Sequence, residues 1–308
     1  MKIVFMGTPE TAVPTLKAIV EAGHEVPLVV TQPDKPKGRS SRLQPTPVKE
    51  YALSAGLEVL QPEKLKNNEE FMAKLEHTKP DFLVVVAYGK ILSERVLNVP
   101  LKAPINVHFS LLPKYRGAAP VNWSIVNGEA ETGVTTMLMD VGLDTGDMLK
   151  KAATPIDKKN TEDLLAELAV TGAKLLIETI DEFDSINPEK QDDSRFTYAP
   201  MMKKEDGQID WSKDAVEIER MIRGFQPWPT AYSTLNGMMF KLYAADVMEG
   251  CTGGAEAGTI VSVSKKSFSV ACGKNILVVK ELQAEGKKRM PAASFLAGFK
   301  LEEGAKFE

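Results

Sequence analysis

Asn106 and His108 have the residue types and spacing for acyl chemistry. They close an apolar run as Asn106-Val107-His108, and because side chains alternate along a strand they project to the same side. A carboxamide donates a hydrogen bond to an oxygen that gains charge, and an imidazole carries a proton to or from an amine. Acyl transfer needs both. The pair serves equally well as a hydrogen-bonded strand terminus, so spacing alone leaves two readings open. A third group favours the catalytic one: Asp140-Val141-Gly142-Leu143-Asp144-Thr145-Gly146-Asp147 follows the next apolar run and sets three carboxylates among glycines that permit close backbone approach. An ordinary Asx-rich turn has the same composition. The other histidines fit structural places, His24 after Gly23 at a helix exit and His77 in a charged helical stretch before Pro80.

The elements that must position these groups follow from the apolar pattern. Residues 3–6, turning at Gly7-Thr8-Pro9 into a helix that Gly23 ends before a second run at 26–30, make a βαβ opening. Runs at 82–87, 105–109 and 134–139 are spaced for crossover helices. They predict an α/β fold, a doubly wound, mostly parallel Rossmann-like sheet covered on both faces. In such a sheet the carboxyl ends of the strands form the ligand crevice, which puts Asn106 and His108 at its mouth. A helix over 160–180 closes this part, with Leu164, Leu165, Leu168, Leu175 and Leu176 at helical spacing. The expected catalytic domain is 1–189, followed by a polar linker at 190–207. Residues 208–308 then carry a helix near 214–225 and strand-like runs at 238–247, 259–264, 267–272 and 276–282, predicting a small antiparallel OB-like barrel.

Several function classes are disfavoured. Gly7-Thr8-Pro9-Glu10 lacks the second and third glycines of a pyrophosphate-binding turn, which weakens a nicotinamide reading. No nucleophile elbow occurs, and Cys251 and Cys272 both fall in the second domain and match neither a disulfide framework nor a zinc site. No apolar stretch approaches the roughly 18 residues of a membrane helix, so a cytoplasmic protein is expected. A formal charge of −4 gives no general signature of nucleic-acid binding. Residues 34–49 are the local exception, with five basic side chains against one acidic in a loop longer than a strand-to-helix connection needs.

Asn106-Val107-His108-Phe109-Ser110-Leu111-Leu112-Pro113, Tyr115-Arg116-Gly117-Ala118-Ala119-Pro120 and the segment from Asp140 to Asp147 resemble the signature blocks of the folate-dependent formyltransferase family. The resemblance implies a catalytic trio of Asn106, His108 and Asp144, and a folate site shaped by Ser110, Leu111, Leu112 and Pro113. It also implies a pterin pocket lined by Val86, Ala87, Tyr88, Gly89 and Asp140, largely through backbone groups. The donor would be 10-formyltetrahydrofolate, with no metal. The acceptor amine would attack directly, Asn106 and protonated His108 donating to the oxyanion while Asp144 orients the imidazole. Ile209-Asp210-Trp211-Ser212, Ile222-Arg223 and Pro227-Trp228-Pro229 resemble the second-domain opening of family members that formylate initiator methionyl-tRNA. The basic loop resembles the insertion that grips the tRNA acceptor end, with Lys37, Arg39 and Arg42 as contacts; Ser40 and Ser41 stand where a glycine often follows the arginine. A monomer is expected.

Overall fold

The computed structural model describes residues 1–36, 43–250 and 252–308. Lys37, Arg39, Arg42 and Cys251 lie outside the described residues. In chain order the elements are β1 (Lys2–Gly7), α1 (Val13–Glu21), β2 (Glu25–Val30), α2 (Pro47–Ser54), β3 (Val59–Leu60), α3 (Glu69–Thr78), β4 (Phe82–Val86), α4 (Glu94–Leu97), β5 (Ala103–His108), α5 (Pro120–Val126), β6 (Glu131–Leu138), β7 (Met148–Pro155) and α6 (Thr161–Asp181). Then come α7 (Ala215–Gly224), β8 (Ala231–Leu235), β9 (Met238–Met248), β10 (Ile260–Val263), β11 (Phe268–Ala271), β12 (Ile276–Ala284) and α8 (Ala292–Gly298). Packing divides them into two units, Met1–Gly117 with Thr132–Pro155 and Leu165–Ala199, and Ala118–Glu131 with Ile156–Leu164 and Pro200–Glu308.

The first unit is built on a seven-stranded sheet in the order β7-β6-β5-β4-β1-β2-β3. Strands β3, β2, β1, β4 and β5 are parallel, and β6 runs antiparallel to β5. Burial on both faces explains why β1 and β4 are continuous apolar runs: Ile3 to Met6, and Phe82, Leu83, Val84 and Val86, are solvent-inaccessible or nearly so. Helix starts follow local chemistry. The Thr46 hydroxyl accepts the Lys49 amide at the start of α2, with Pro47 in the first turn, and Asn68 accepts the Phe71 amide to cap α3. Strand order reverses between β1 and β4, so connections leave the carboxyl edge there in opposite directions and open a crevice. Two strands escape the sequence pattern: β3 has only two residues, and β7 carries Lys150-Lys151 in its middle.

In the second unit α7 starts at Asp214, whose carboxylate accepts the Val216 amide, and buries Ala215, Ile218 and Ile222 on one face. The antiparallel sheet runs β8-β9-β12-β11-β10. The last residues close it. Ile260 donates to the Ala305 carbonyl and Phe307 to that of Gly258, while Glu308 donates to the carbonyl of Thr234 in β8. Phe307 thereby plugs the interior against Phe240, Phe268 and Trp211, and each such side chain contributes roughly 1.5–3 kcal/mol by leaving water. Cys272 is part of this core, and burial pushes its thiol up to about 12. That makes it a packing residue rather than a nucleophile.

This division differs from the uninterrupted boundaries read from composition, and the reason is a close approach of two helices. A Cβ on Gly224 of α7 would lie 2.6 Å from Val126 of α5, so only glycine admits the helix at this distance. Asn122 and Thr161 each donate to the Gly224 carbonyl at 2.7 Å, and Trp123 meets the Phe225 ring edge-on. Residues 118–131 and 156–164 are therefore held with the C-terminal unit.

Candidate active site

Strand β5 places Asn106 opposite Val85 of β4 and His108 opposite Thr135 of β6, at the carboxyl edge beside the crevice. His108 is buried, and its Nε2 lies 2.9 Å from the Tyr115 carbonyl oxygen. A carbonyl only accepts, so Nε2 carries the proton and donates it, leaving Nδ1 as the nitrogen presented to chemistry. Tyr115 is held in the left-handed region, φ 61°, by the turn that follows Ser110-Leu111-Leu112-Pro113. In that turn Ser110 Oγ donates to the Lys114 carbonyl at 2.7 Å. Thr135 Oγ1 donates to the Ser110 carbonyl at 2.7 Å and accepts the Leu112 amide at 3.2 Å. Leu112 is buried with Met137 and Met148. Ser110 to Pro113 thus shape the wall beside His108 and hold the carbonyl that orients it.

Asp144 comes from 38 residues further on and meets the pair. Its Oδ2 accepts the Gly117 amide at 2.8 Å and stands 3.7 Å from His108 Nδ1, while Oδ1 is 3.4 Å from Asn106 Nδ2. The backbone of Asp144 is left-handed, φ 54°, a conformation that costs a non-glycine residue about 1 kcal/mol and persists only where surrounding contacts enforce it. At 3.7 Å Asp144 makes no direct hydrogen bond to the ring, and the Tyr115 carbonyl sets the tautomer. What Asp144 supplies is negative charge facing Nδ1 and an acceptor for Asn106. Asp140 behaves differently from Asp144. It is exposed, and its Oδ1 accepts from the Gly142 amide and the Thr145 hydroxyl at 2.9 and 2.7 Å, an Asx turn that shapes the loop.

Gly117 supplies more than its amide. Its φ of 119° and the 2.6 Å that would separate an added Cβ from the Ala199 carbonyl reserve the position for glycine. Sequence reasoning placed Gly117 within a motif but gave it no role, and it gave none to the Tyr115 carbonyl. A backbone acceptor leaves no trace in residue type, whereas a glycine between Arg116 and Ala118 is such a signal.

The segment from Val86 to Gly89 follows β4 directly beside Asn106. Val86 and Tyr88 are buried, while Ala87 and Gly89 are exposed with positive φ. The Tyr88 ring packs into the core beneath and its hydroxyl has no hydrogen-bond partner, so burial pushes it up to about 12. With the ring turned inward, this segment presents backbone to the crevice. The Tyr88 carbonyl accepts from Thr8 Oγ1 and Gln32 Nε2, both at 3.1 Å, which ties the segment to the ends of β1 and β2.

Lys37, Arg39 and Arg42 lie outside the described residues, but both ends of their loop are described. Lys35-Pro36 pairs with Leu43-Gln44, and Asp34 receives Lys49 Nζ at 2.7 Å and Gln61 Nε2 at 2.6 Å. Those hydrogen bonds, that of Gln61 foremost, hold the Asp34 carboxyl below its usual range. The loop therefore springs from a braced base next to the Tyr88 segment. His24 contacts the N-terminal amine and His77 sits on α3, away from these groups. Among the described residues no group of three or more His, Cys, Asp or Glu side chains is arranged to hold a metal, and no helix is long and apolar enough to cross a membrane.

Residues 1–180 match the family described as formyl transferase, and residues 201–300 match the formyl transferase C-terminal domain. A methionyl-tRNA formyltransferase of Citrifermentans bemidjiense is 52% identical over 307 residues, covering 99% of this chain and 95% of that protein. The chain belongs to the methionyl-tRNA formyltransferase family. Another relative of that name, from Caldanaerobacter subterraneus, is 50% identical and covered 99% on both sides. Among solved structures, an N-formyltransferase from Helicobacter canadensis in complex with folinic acid and dTDP-3-aminofucose superposes with a TM-score of 0.66. It is 20% identical and covers 91% of this chain and 99% of its own. HypX from Aquifex aeolicus in complex with tetrahydrofolic acid superposes over 100% of this chain with a TM-score of 0.62 at 17% identity. This chain spans half of that protein. At these identities the superpositions establish the shared fold.

Proposed function

We propose that this chain transfers the formyl group of 10-formyltetrahydrofolate to the amino group of methionyl initiator tRNA, acting as a cytoplasmic monomer. The observation that carries the chemistry is the convergence of Asn106, His108 and Asp144 on one point at the carboxyl edge of the sheet. The acceptor follows from the full-length likeness to methionyl-tRNA formyltransferases, which extends through the C-terminal sheet. In the reaction the methionyl nitrogen forms a bond to the formyl carbon and the bond from that carbon to N10 breaks. The amine gives up a proton and N10 takes one, so the protein needs only to shuttle it. Asn106 Nδ2 donates to the formyl oxygen as charge grows there, and His108 Nδ1 handles the proton under the Asp144 carboxylate. The exposed backbone at Ala87 and Gly89, with Asp140 and the wall from Ser110 to Pro113, holds the donor. Residues 208–308 contribute to tRNA binding.

The basic loop supports the tRNA reading. Arg39 and Arg42 provide directional contacts to phosphates or bases of the acceptor end, and Lys37 a less directional one. The double substitution Arg39→Ala with Arg42→Ala is expected to raise KM for charged initiator tRNA by about 10-fold or more, since each arginine contact contributes on the order of 1 kcal/mol or more. Folate KM and thermal stability should stay at wild-type values. Titrating salt in the tRNA-binding assay separates the contact types: lost phosphate contacts flatten the dependence, and lost base contacts change initiator preference at constant salt. Unchanged kinetics, salt slope and preference would reduce the loop to a solvated insertion.

A further inference from the structure

Residues 190–199 read as polar linker, yet together with Glu189 they are fastened to both halves of the catalytic constellation. The Glu189 backbone exchanges hydrogen bonds with Met148 at 2.8 and 2.9 Å, just after the Asp144 loop. At the other end the Thr197 carbonyl accepts the Arg116 amide and its hydroxyl accepts the Tyr115 amide, both at 2.9 Å, and Tyr198-Ala199 pairs in parallel with Arg116-Gly117. Between these anchors sits Gln191. Its Nε2 donates to the carbonyls of Asp144 and Gly146, each at 2.8 Å, and its Oε1 accepts Nε of the buried Arg116 at 2.8 Å. The orientation of the amide is unambiguous, because reversing it would set oxygen against two carbonyls and nitrogen against a guanidinium. A cavity of about 680 Å³ opens in front of it, lined by Arg116, Asp140, Thr145, Asp147, Lys190 and Phe196 among others.

We propose that Gln191 is a positioning residue for catalysis: its two-hydrogen amide clamps the Asp144 loop in the conformation that aims the carboxylate at His108 and Asn106. The physical need is clear from Asp144 itself. A left-handed aspartate relaxes unless its peptide is held, and the Gly117 amide holds only the side chain. Gln191 holds the peptide from the other side and, through Arg116, locks the turn carrying Gly117 and the Tyr115 carbonyl to the same point. Arg116 is also paired with Asp193, whose side chain is 81% exposed, so that ion pair adds little. The inference rests on the catalytic reading of the trio, because Gln191 acts only through Asp144.

Two substitutions separate positioning from simple attachment of the segment. Gln191→Ala removes all three hydrogen bonds. Gln191→Glu keeps the shape and strengthens the link to Arg116, but turns an oxygen toward the two carbonyls. We expect both variants to lose kcat by about 10- to 100-fold, with KM for folate and tRNA within about threefold of wild type, since sub-ångström misplacement of a reacting constellation acts on the chemical step. Asp193→Ala should match wild type. Rates are taken well below each variant's Tm. A Gln191→Glu enzyme as active as wild type would show that attachment through Arg116 suffices, and would overturn the proposal. So would normal kcat in both variants, or a defect confined to the KM for tRNA, which would make Gln191 a substrate contact. Asp144→Asn run beside them identifies which idea fails: if it is itself fully active, the trio reading falls; if it is inactive while the Gln191 variants work, only the clamp falls.

Discussion

Replacing His108 or Asn106 with alanine should lower kcat by about 100-fold or more while the protein stays folded. Both side chains stand at the end of β5 rather than in the body of the sheet. The residues that hold the strand in register, Ile105 and Val107, are untouched by either change. His108→Ala frees the Tyr115 carbonyl of its 2.9 Å hydrogen bond, a local loss on the order of 1 kcal/mol that a water can recover. It also removes the imidazole at the crevice, and neither His24 nor His77 stands near enough to replace it. Asn106→Ala removes the amide donor and the neighbour of Asp144 Oδ1. Circular dichroism and Tm report folding, and steady-state formylation reports the rest. Turnover near wild type in either purified variant would exclude that residue from the chemistry.

Asp144→Asn should cost a similar factor for a different reason, about 100-fold in kcat with Tm little changed. The side chain keeps its size, and one oxygen must still accept the Gly117 amide. The new NH2 group then takes the place of Oδ1 and faces the Asn106 NH2 group, donor against donor, at what is now 3.4 Å. Asn106 has to turn its amide over, which puts an acceptor where the oxyanion requires a donor. The negative charge 3.7 Å from His108 Nδ1 is lost at the same time. Because Asn tolerates the left-handed backbone as Asp does, the loop itself has no reason to unfold. A variant with normal kcat would show that neither the charge nor the polarity of this position matters.

Side-chain patterns reached the Asn106–His108 pair and a loop of three carboxylates, and the family resemblance singled out Asp144 among them. The alternation that aims Asn106 and His108 to one side is a property of any strand, and the continuous apolar runs of β1 and β4 announced a sheet buried on both faces. What the pattern did not reveal lives in the backbone or in long-range packing. The Tyr115 carbonyl that sets the imidazole tautomer belongs to no particular residue type. Strand β3 is too short for any period, and Lys150-Lys151 disguises β7 as a loop. The segment 190–199 is polar because its hydrogen bonds to the catalytic turns are made by polar groups, so composition reads it as linker. Closure of the second sheet falls to residues 304–308, whose hydrogen bonds go to Thr234, Gly258 and Ile260, distant in sequence and brought alongside only in the fold.

The most direct test is a transfer assay with labelled 10-formyltetrahydrofolate and three acceptors: charged initiator methionyl-tRNA, charged elongator methionyl-tRNA, and an amino-sugar nucleotide, with His108→Ala as the blank. The initiator tRNA should acquire the formyl group at the methionyl nitrogen, efficiently and in preference to the other two, and the label should stay on folate when His108→Ala replaces the wild type. Formylation of the amino-sugar nucleotide with no transfer to initiator tRNA would contradict the account, however well the trio performs.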